Sequence, residues 1–396
     1  MYRHSGRSRP KRNQHRARRH NGGGRGGYRI RTFDPSRIVA NASEIVEEDT
    51  YEAKYSFSDF DISGKLKANI AGRGYTSPTP IQDQTIPEII KGTDIVGIAN
   101  TGTGKTGAFL IPLLDEVLRN RDQRVLVIIP TRELAVQIER ELILFSKGLG
   151  IRSVVCIGGV SDRGQIDKLR RNPSFVIGTP GRLLDLENQR AIRFDKYNTL
   201  VLDEVDRMLD MGFINDMKKI VHSTPRNRQS LFFSATLRVE VLEIMKQFTT
   251  DPMHISVKSS DSLANVNQEI LKVNGRSKYE TLRDLLDKRE FEKVLIFGRT
   301  KRGVEKLAKT LSRDKYLVSA IHGNKSQNQR QRSLDTFKQG GVNILVATDV
   351  VARGIDVEDI SHVINYELPE TYEDYHHRIG RTGRAGKMGK AITFIN

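Results

Sequence analysis

The amino-acid sequence predicts an α/β protein of two tandem parallel-sheet domains with helices on both faces, preceded by a disordered basic tail. Short Val- and Ile-rich runs alternate with segments of helical period, the pattern of a parallel sheet covered by helices. The alternation lapses once, into polar Lys258-Ser-Ser-Asp-Ser-Leu-Ala-Asn265, and then restarts. Only the first series carries a glycine-rich loop between a strand-like run and a helix-like one.

The first 32 residues hold ten Arg and one Lys with no Asp or Glu, so they supply +11 of the formal net charge of +17. A tail with Gly22-Gly23-Gly24 and Arg25-Gly26-Gly27-Tyr28 buries too little apolar area to fold. Its charge suits anchoring on a polyanion, with a merely solubilising tail as the alternative. A mixed connector ending in Glu44-Ile-Val-Glu-Glu-Asp49 follows, and residues 1–52 are assigned to tail and connector. The chain has no run of 18 apolar residues and no apolar stretch behind its first arginines. Neither a membrane span nor a secretory signal is therefore expected, and the expected location is cytoplasmic. Cys156, the one cysteine among 396 residues, excludes internal disulfides and a cysteine-based zinc site. It reads as a buried strand residue.

The first domain is placed at 53–257. Its strand-like runs are Asp94–Ile98, Val125–Ile129, Val154–Ile157, Phe175–Ile177, Thr199–Leu202 and Ser230–Phe233. Leu134, Ile138, Leu142 and Phe145 recur at helical spacing behind Pro130-Thr131 and should face the sheet. Gly107–Leu114 is helix-like until Pro112. A linker is placed at 258–268 and the second domain at 269–396, with runs at Glu269–Val273, Val294–Phe297, Leu317–Ile321, Asn343–Ala347, His362–Ile364 and Ala391–Ile395. Two similar domains with one phosphate loop imply a site completed across a cleft.

That loop is Ala99-Asn100-Thr101-Gly102-Thr103-Gly104-Lys105-Thr106. Gly102 and Gly104 let the backbone curl so that N–H groups converge on an anion at a helix N-terminus. Lys105 reaches terminal phosphates and the Thr106 hydroxyl suits Mg2+. About a hundred residues on, Asp203-Glu204-Val205-Asp206 ends an apolar run, where an open parallel sheet places its ligands. Asp203 suits Mg2+ through its water shell, Glu204 suits orienting and deprotonating water, and Asp206 suits a link to neighbouring loops. Alone, such an acidic strand end is better read as a helix cap or a solvated end; Lys105 and Thr106 upstream turn the reading toward the metal site.

Taken together, these segments closely resemble the DEAD-box family of superfamily 2 RNA helicases, from about Tyr55 to the last residue, with the tetrapeptide in the form Asp-Glu-Val-Asp. The resemblance implies two RecA-like domains, ATP and Mg2+ as cofactors and RNA as partner. Gly74-Tyr75-Thr-Ser-Pro78-Thr79-Pro-Ile-Gln82, seventeen residues behind Phe57, looks like the family's adenine-reading segment. A Gln side chain donates and accepts at an adenine edge, and Phe57 can pack on the ring. Ser234-Ala235-Thr236 resembles the segment that couples the Asp206 region to RNA, and His377 belongs with it. In the basic turn His377-Arg378-Ile-Gly380-Arg381-Thr-Gly383-Arg384, Arg381 and Arg384 match arginine fingers. Gly354 and Asp356 match the segment that closes on the ribose.

RNA-contacting positions implied by the resemblance are Pro130, Thr131, Arg132 with Glu133, Gly158, Gly159, Thr179 with Pro180, Gly181 and Arg182 in the first domain. In the second they are Arg299, Thr300, Gln327, Arg330 and Thr348. Hydroxyls, arginines and backbone N–H groups beside glycines recognise phosphate and 2′-hydroxyl groups rather than bases, so RNA binding should be largely independent of sequence. Thr131 and Thr179 are equally well read as helix caps. The family pattern is broken by Ala99, by Asn100 where glutamine is usual, and by Val205 where alanine is usual. Asn396 follows the arginine turn by one strand, where relatives usually continue with a helix, so a less stable second domain is expected. The expected function is ATP-dependent, local and non-processive RNA unwinding or remodelling of RNA–protein complexes by a monomer, through domain closure. A DNA-directed translocase of the same superfamily and an RNA chaperone or clamp that acts by annealing are the rival readings.

Overall fold

The computed structural model describes residues 51–396 except 101, 237, 258–264, 274, 276, 353–356, 358, 384–386 and 396, and, for its side chain, 350. The expectations for the tail, and those placed on Thr101, Gly354, Asp356 and Arg384, lie outside the described residues.

In chain order the first half comprises α1 (Gly64–Ala71), α2 (Pro80–Ile90), β1 (Ile95–Ala99), α3 (Lys105–Arg119), β2 (Val125–Ile128), α4 (Arg132–Phe145), β3 (Ser153–Cys156), α5 (Asp162–Leu169) and β4 (Phe175–Gly178). It continues with α6 (Pro180–Asn188), β5 (Thr199–Leu202), α7 (Val205–Asp210), α8 (Ile214–Ser223), β6 (Gln229–Ser234), α9 (Val239–Phe248) and β7 (Met253–Val257). Its seven strands pair in the order β3-β4-β2-β5-β6-β1-β7, every pair parallel.

The second half comprises β8 (Val266–Lys272), α10 (Lys278–Leu286), β9 (Val294–Phe297), α11 (Lys301–Arg313), β10 (Val318–Ile321), α12 (Gln327–Lys338), β11 (Ile344–Ala347), α13 (Asp349–Ala352), β12 (His362–Asn365), α14 (Tyr372–Ile379) and β13 (Gly389–Ile395). Its order is β10-β11-β9-β12-β13-β8, again all parallel. Both lobes belong to one compact unit.

The central strands are rich in apolar residues because helices bury both their faces, although β5 and β6 also bury Thr199, Ser230 and Ser234. In β2, Val125 and Val127 join one core while Leu126 and Ile128 join the core on the opposite face. Leu134, Ile138, Leu142 and Phe145 of α4 are buried, as their spacing requires. Cys156 ends β3 fully buried, and burial pushes its thiol up to about 12.

Two expectations are corrected, and one strand had no signal in the sequence. The helix after the phosphate loop does not stop at Pro112; α3 runs to Arg119 with Pro112 buried inside it. A proline there removes one helical hydrogen bond at a cost of about 3 kcal/mol, offset by the fully buried Phe109, Leu110, Ile111, Leu113 and Leu114 around it. The linker does not extend to 268, because Val266–Gln268 already pair with Gly389–Ala391 in the β13–β8 ladder. Finally, β7 carries no apolar run, since it lies at the sheet edge with Ile255 as its one buried residue; its register against β1 makes it a strand.

His362, at the start of β12, stacks on Phe291 with ring centroids 3.8 Å apart. Burial and the nearby Lys390 push its imidazole down to about 4. Because this lies below the unfolded value of about 6.5, the neutral ring stabilises the fold above pH 6.5, and that contribution is lost as pH falls from 6.5 to 4. The melting temperature should fall across that window by circular dichroism, and His362→Phe should flatten the fall. An unchanged slope in the variant would refute the assignment.

Candidate nucleotide site and RNA-facing loops

All strands of a parallel sheet end on one edge, so the loops after β1, β5 and β6 are neighbours. The order places β6 between β5 and β1. The segment Ser234-Ala235-Thr236 therefore leaves the sheet between the Asp203 end and the phosphate loop.

Gly102 and Gly104 adopt φ of 86° and 92°, left-handed values that suit glycine. The loop then delivers Lys105 as the first residue of α3, 7% exposed, its Nζ donating to the Ala99 carbonyl at 2.8 Å. Thr103 Oγ1 donates to the Asn100 carbonyl at 2.8 Å. Gln82, 1% exposed, braces the loop: its Nε2 donates to the Gly104 carbonyl at 3.0 Å while its Oε1 accepts from the Thr79 N–H at 3.1 Å. A Cβ at Gly104 would sit 2.6 Å from Gln82 Nε2, and one at Gly107 would sit 2.8 Å from it. Gly107 has a role the sequence alone did not reveal: it admits Gln82 against α3.

Phe57 is buried, edge-on to Phe60 and Tyr75. Asp83, beside Gln82, anchors the approach to Phe57. It accepts from Tyr51 Oη at 2.6 Å and from the N–H groups of Lys54 and Tyr55 at 2.8 and 2.9 Å.

At the end of β5 the Asp203 carboxyl is buried and pushed up to about 6; burial is the main cause, moderated by Lys105 and reinforced by Glu204 and Asp206. Glu204 adopts a left-handed backbone, φ 55° and ψ 49°, at the start of α7, and pairs with the buried Arg207. Val205 fills the core under this turn. Asp206 Oδ2 accepts from the N–H groups of Ala235 and Thr236 at 3.2 and 3.1 Å and from Thr236 Oγ1 at 3.1 Å. Ser234 Oγ donates to the Thr236 carbonyl at 2.9 Å.

In the second lobe, Arg378 and Arg381 part company. Arg378 is 1% exposed and holds α14 against the sheet through a bidentate pair with Asp349, 2.5 and 2.7 Å, and bonds to Asn365 Oδ1 and the Glu367 carbonyl. Arg381 lies one turn on, its Nε donating to the His377 carbonyl at 3.1 Å.

The remaining loops follow the same edges. Thr131 caps α4 by accepting from the Leu134 N–H at 3.3 Å, next to Pro130, which is buried. Thr179 starts α6 without a side-chain capping bond, ahead of Pro180 and the exposed Gly181. The Arg132 guanidinium lies against Gly158 and Gly159, where a Cβ would approach it to 2.9 and 2.4 Å. Arg182 is engaged within the lobe by Asp162 at 2.8 Å, Gln165 at 3.3 Å and Asp185. Arg299 is exposed and reaches Glu370 at 3.0 Å, Thr300 caps α11, and Thr348, the residue after β11, is buried. Gln327 and Arg330 of α12 both meet Glu133 of α4, at 3.2 and 2.7 Å.

A phosphate loop, a buried acidic strand end and a second parallel-sheet lobe with an arginine turn define a two-lobed, phosphate-loop nucleotide-binding protein. The family profile of the DEAD/DEAH box helicases matches residues 79–244, and the helicase conserved C-terminal domain matches residues 277–386. The DEAD-box ATP-dependent RNA helicase CshA of Bacillus subtilis is 44% identical over 342 residues, 86% of this chain and 69% of that protein. The chain belongs to the DEAD-box family of ATP-dependent RNA helicases.

Among solved structures, a DEAD box protein from Methanococcus jannaschii is 40% identical, with a TM-score of 0.51 over 86% of this chain and 93% of that one. Dbp5 of S. cerevisiae bound to RNA and ADP BeF3 is 28% identical, with a TM-score of 0.77 over 86% and 89%. Its two lobes share the RecA-like fold.

Gly107→Ala should weaken nucleotide binding several-fold by pushing Gln82 off the Gly104 carbonyl. Alanine favours a helix by about 1 kcal/mol over glycine, so the melting temperature should hold or rise. Titration with a fluorescent ADP analogue checks the first, and wild-type affinity would remove Gln82 from the site.

Proposed function

We propose that this chain couples ATP hydrolysis to local, non-processive opening of RNA duplexes or remodelling of RNA–protein complexes, by closing its two lobes on RNA. The observation that carries this reading is the buried Asp203 near Lys105, with Asp206, three residues on, bonded to Thr236, in a chain of this helicase family. The ATP-binding lobe is assigned to 53–257 and the second lobe to 266–396, with residues 1–32 a basic RNA-anchoring tail and residues 33–52 a connector.

Lys105 and the loop N–H groups bind the phosphates, while Gln82 and Phe57 hold the adenine end. Asp203 and Thr106 are the residues that would hold Mg2+. The fit rests on a buried carboxylate with a lysine as its nearby cation, because Mg2+ needs only one or two carboxylates beside nucleotide phosphates. Bound there, Mg2+ supplies neutralisation of charge on the phosphoryl oxygens. Glu204, fixed by Arg207, orients the attacking water and takes its proton, and the Asp-Glu-Val-Asp variant leaves these charged atoms in place. Arg381 and Arg384 spread charge off the transferring group, and Gly354 and Asp356 close on the ribose. Asp206, Ser234, Thr236 and His377 pass the state of the nucleotide to the RNA loops.

Those loops offer hydroxyls, guanidinium groups and glycine N–H groups, which fit RNA backbone without reading sequence. The better superposition on the RNA-bound relative, despite its lower identity, supports reading this arrangement as the closed one. The protein is proposed to act as a monomer in the cytoplasm; no helix among the described residues is long and apolar enough to cross a membrane.

Closing an almost wholly open protein takes about 5.5 kcal/mol from the two ligands. A base step costs on the order of 1.4 kcal/mol on the DNA scale, so one closure opens only a few pairs. Lys105→Ala, Glu204→Gln and Arg381→Ala should each abolish RNA-stimulated ATP turnover in a phosphate-release assay, with RNA rather than DNA oligomers stimulating the unsubstituted chain. Wild-type turnover in any variant, or equal stimulation by DNA, would overturn the reading.

A further inference from the structure

Side chains of the two lobes meet at several points among the described residues. Glu133 of α4 binds Gln327 and Arg330 of α12, and these are among the positions already assigned to RNA. Arg140 and Asp335 are not. Two turns further along the same helices, the Arg140 guanidinium makes paired bonds of 2.9 and 3.0 Å to the Asp335 carboxylate.

The register of the helices explains why both contacts form at once. Glu133 and Arg140 are seven residues apart on α4, and Gln327 and Asp335 are eight apart on α12. At 1.5 Å per residue the spacings are about 10 and 12 Å, so the helices lie side by side with matched contacts. One contact alone is a pivot; two fix the angle. Gln331, one turn from Asp335, donates its Nε2 to Asp335 Oδ1 at 2.9 Å and orients the carboxylate. The Arg140 bond holds the Asp335 carboxyl below its usual range, and Lys338 is the other cation nearby.

We propose that Arg140 and Asp335 are a positioning pair that fixes the angle between the closed lobes, and so strengthens the coupling between RNA and ATP binding while touching neither ligand. This rests on the closed-lobe reading above. Coupling between two ligands is a free energy of the state both prefer, and where either ligand alone leaves the protein mostly open, a contact made only in the closed state changes their cooperativity and leaves each single affinity nearly unchanged.

The test measures the affinity of a fluorescent single-stranded RNA oligomer by anisotropy, with and without AMP-PNP, and that of AMP-PNP without RNA. The unsubstituted chain, Arg140→Asp, Asp335→Arg and the double reversal are compared. Each single reversal should reduce the gain in RNA affinity conferred by AMP-PNP about three- to tenfold, because a partly exposed paired contact becomes a like-charge clash. RNA affinity without nucleotide and AMP-PNP affinity without RNA should stay at wild-type values, and the double reversal should recover most of the gain. Full coupling in the single variants, equal losses in the uncoupled affinities, or no recovery in the double variant would overturn the pair. If the unsubstituted chain shows no gain from AMP-PNP, the closed-lobe reading fails and the pair with it, a result told apart because it is read without any substitution.

Discussion

The chemistry of this chain depends on one geometric constraint: parallel strands buried on both faces all present their carboxyl ends along a single edge. Because helices cover both faces of β1, β2, β5 and β6, those strands are dominated by apolar residues and most of the polar chemistry is forced into the loops that follow them. The interior position of β6 brings Asp206, rooted after β5, within reach of Thr236 beyond β6. The Asp206 oxygen that receives three donors is thus a product of strand order before it is a feature of a motif.

Glycine is used twice for different reasons at this edge. Gly102 and Gly104 bend the backbone into left-handed turns. Gly107 sits in ordinary helix and is there for space, since the Gln82 amide occupies the volume of a side chain. Gln82 in turn spends both ends of its amide on backbone, tying α2 to the phosphate loop. The adenine recognition proposed for Gln82 and the shape of the loop therefore fall to one side chain.

Much of this was legible in the sequence because interior strands are dense in Val and Ile and motif residues keep fixed spacing. What escaped did so for physical reasons. Strand β7 is an edge strand with one buried residue and leaves no apolar run to detect. Pro112 ends a helix by local rules, which tertiary burial of α3 overrides. Arg378 and Arg381 look alike in a basic turn, yet three acceptors surrounding Arg378 make it the anchor of α14. Pairs such as Glu133 with Arg330, separated by 197 residues, have no local signature at all. The roles assigned to individual loop residues stand on motif spacing together with the contacts described.

Glu204 carries a consequence of another kind. Its left-handed backbone costs on the order of 1–2 kcal/mol for any residue with a Cβ, and glycine there would be relieved of that cost. Removing the side chain would also strip the buried Arg207 of the carboxylate it pairs with, a loss of about 3–5 kcal/mol for a buried ion pair that outweighs the relief. Selection for stability and selection for turnover therefore hold the same side chain in place, one through its pair with Arg207 and the other through the water it is proposed to activate.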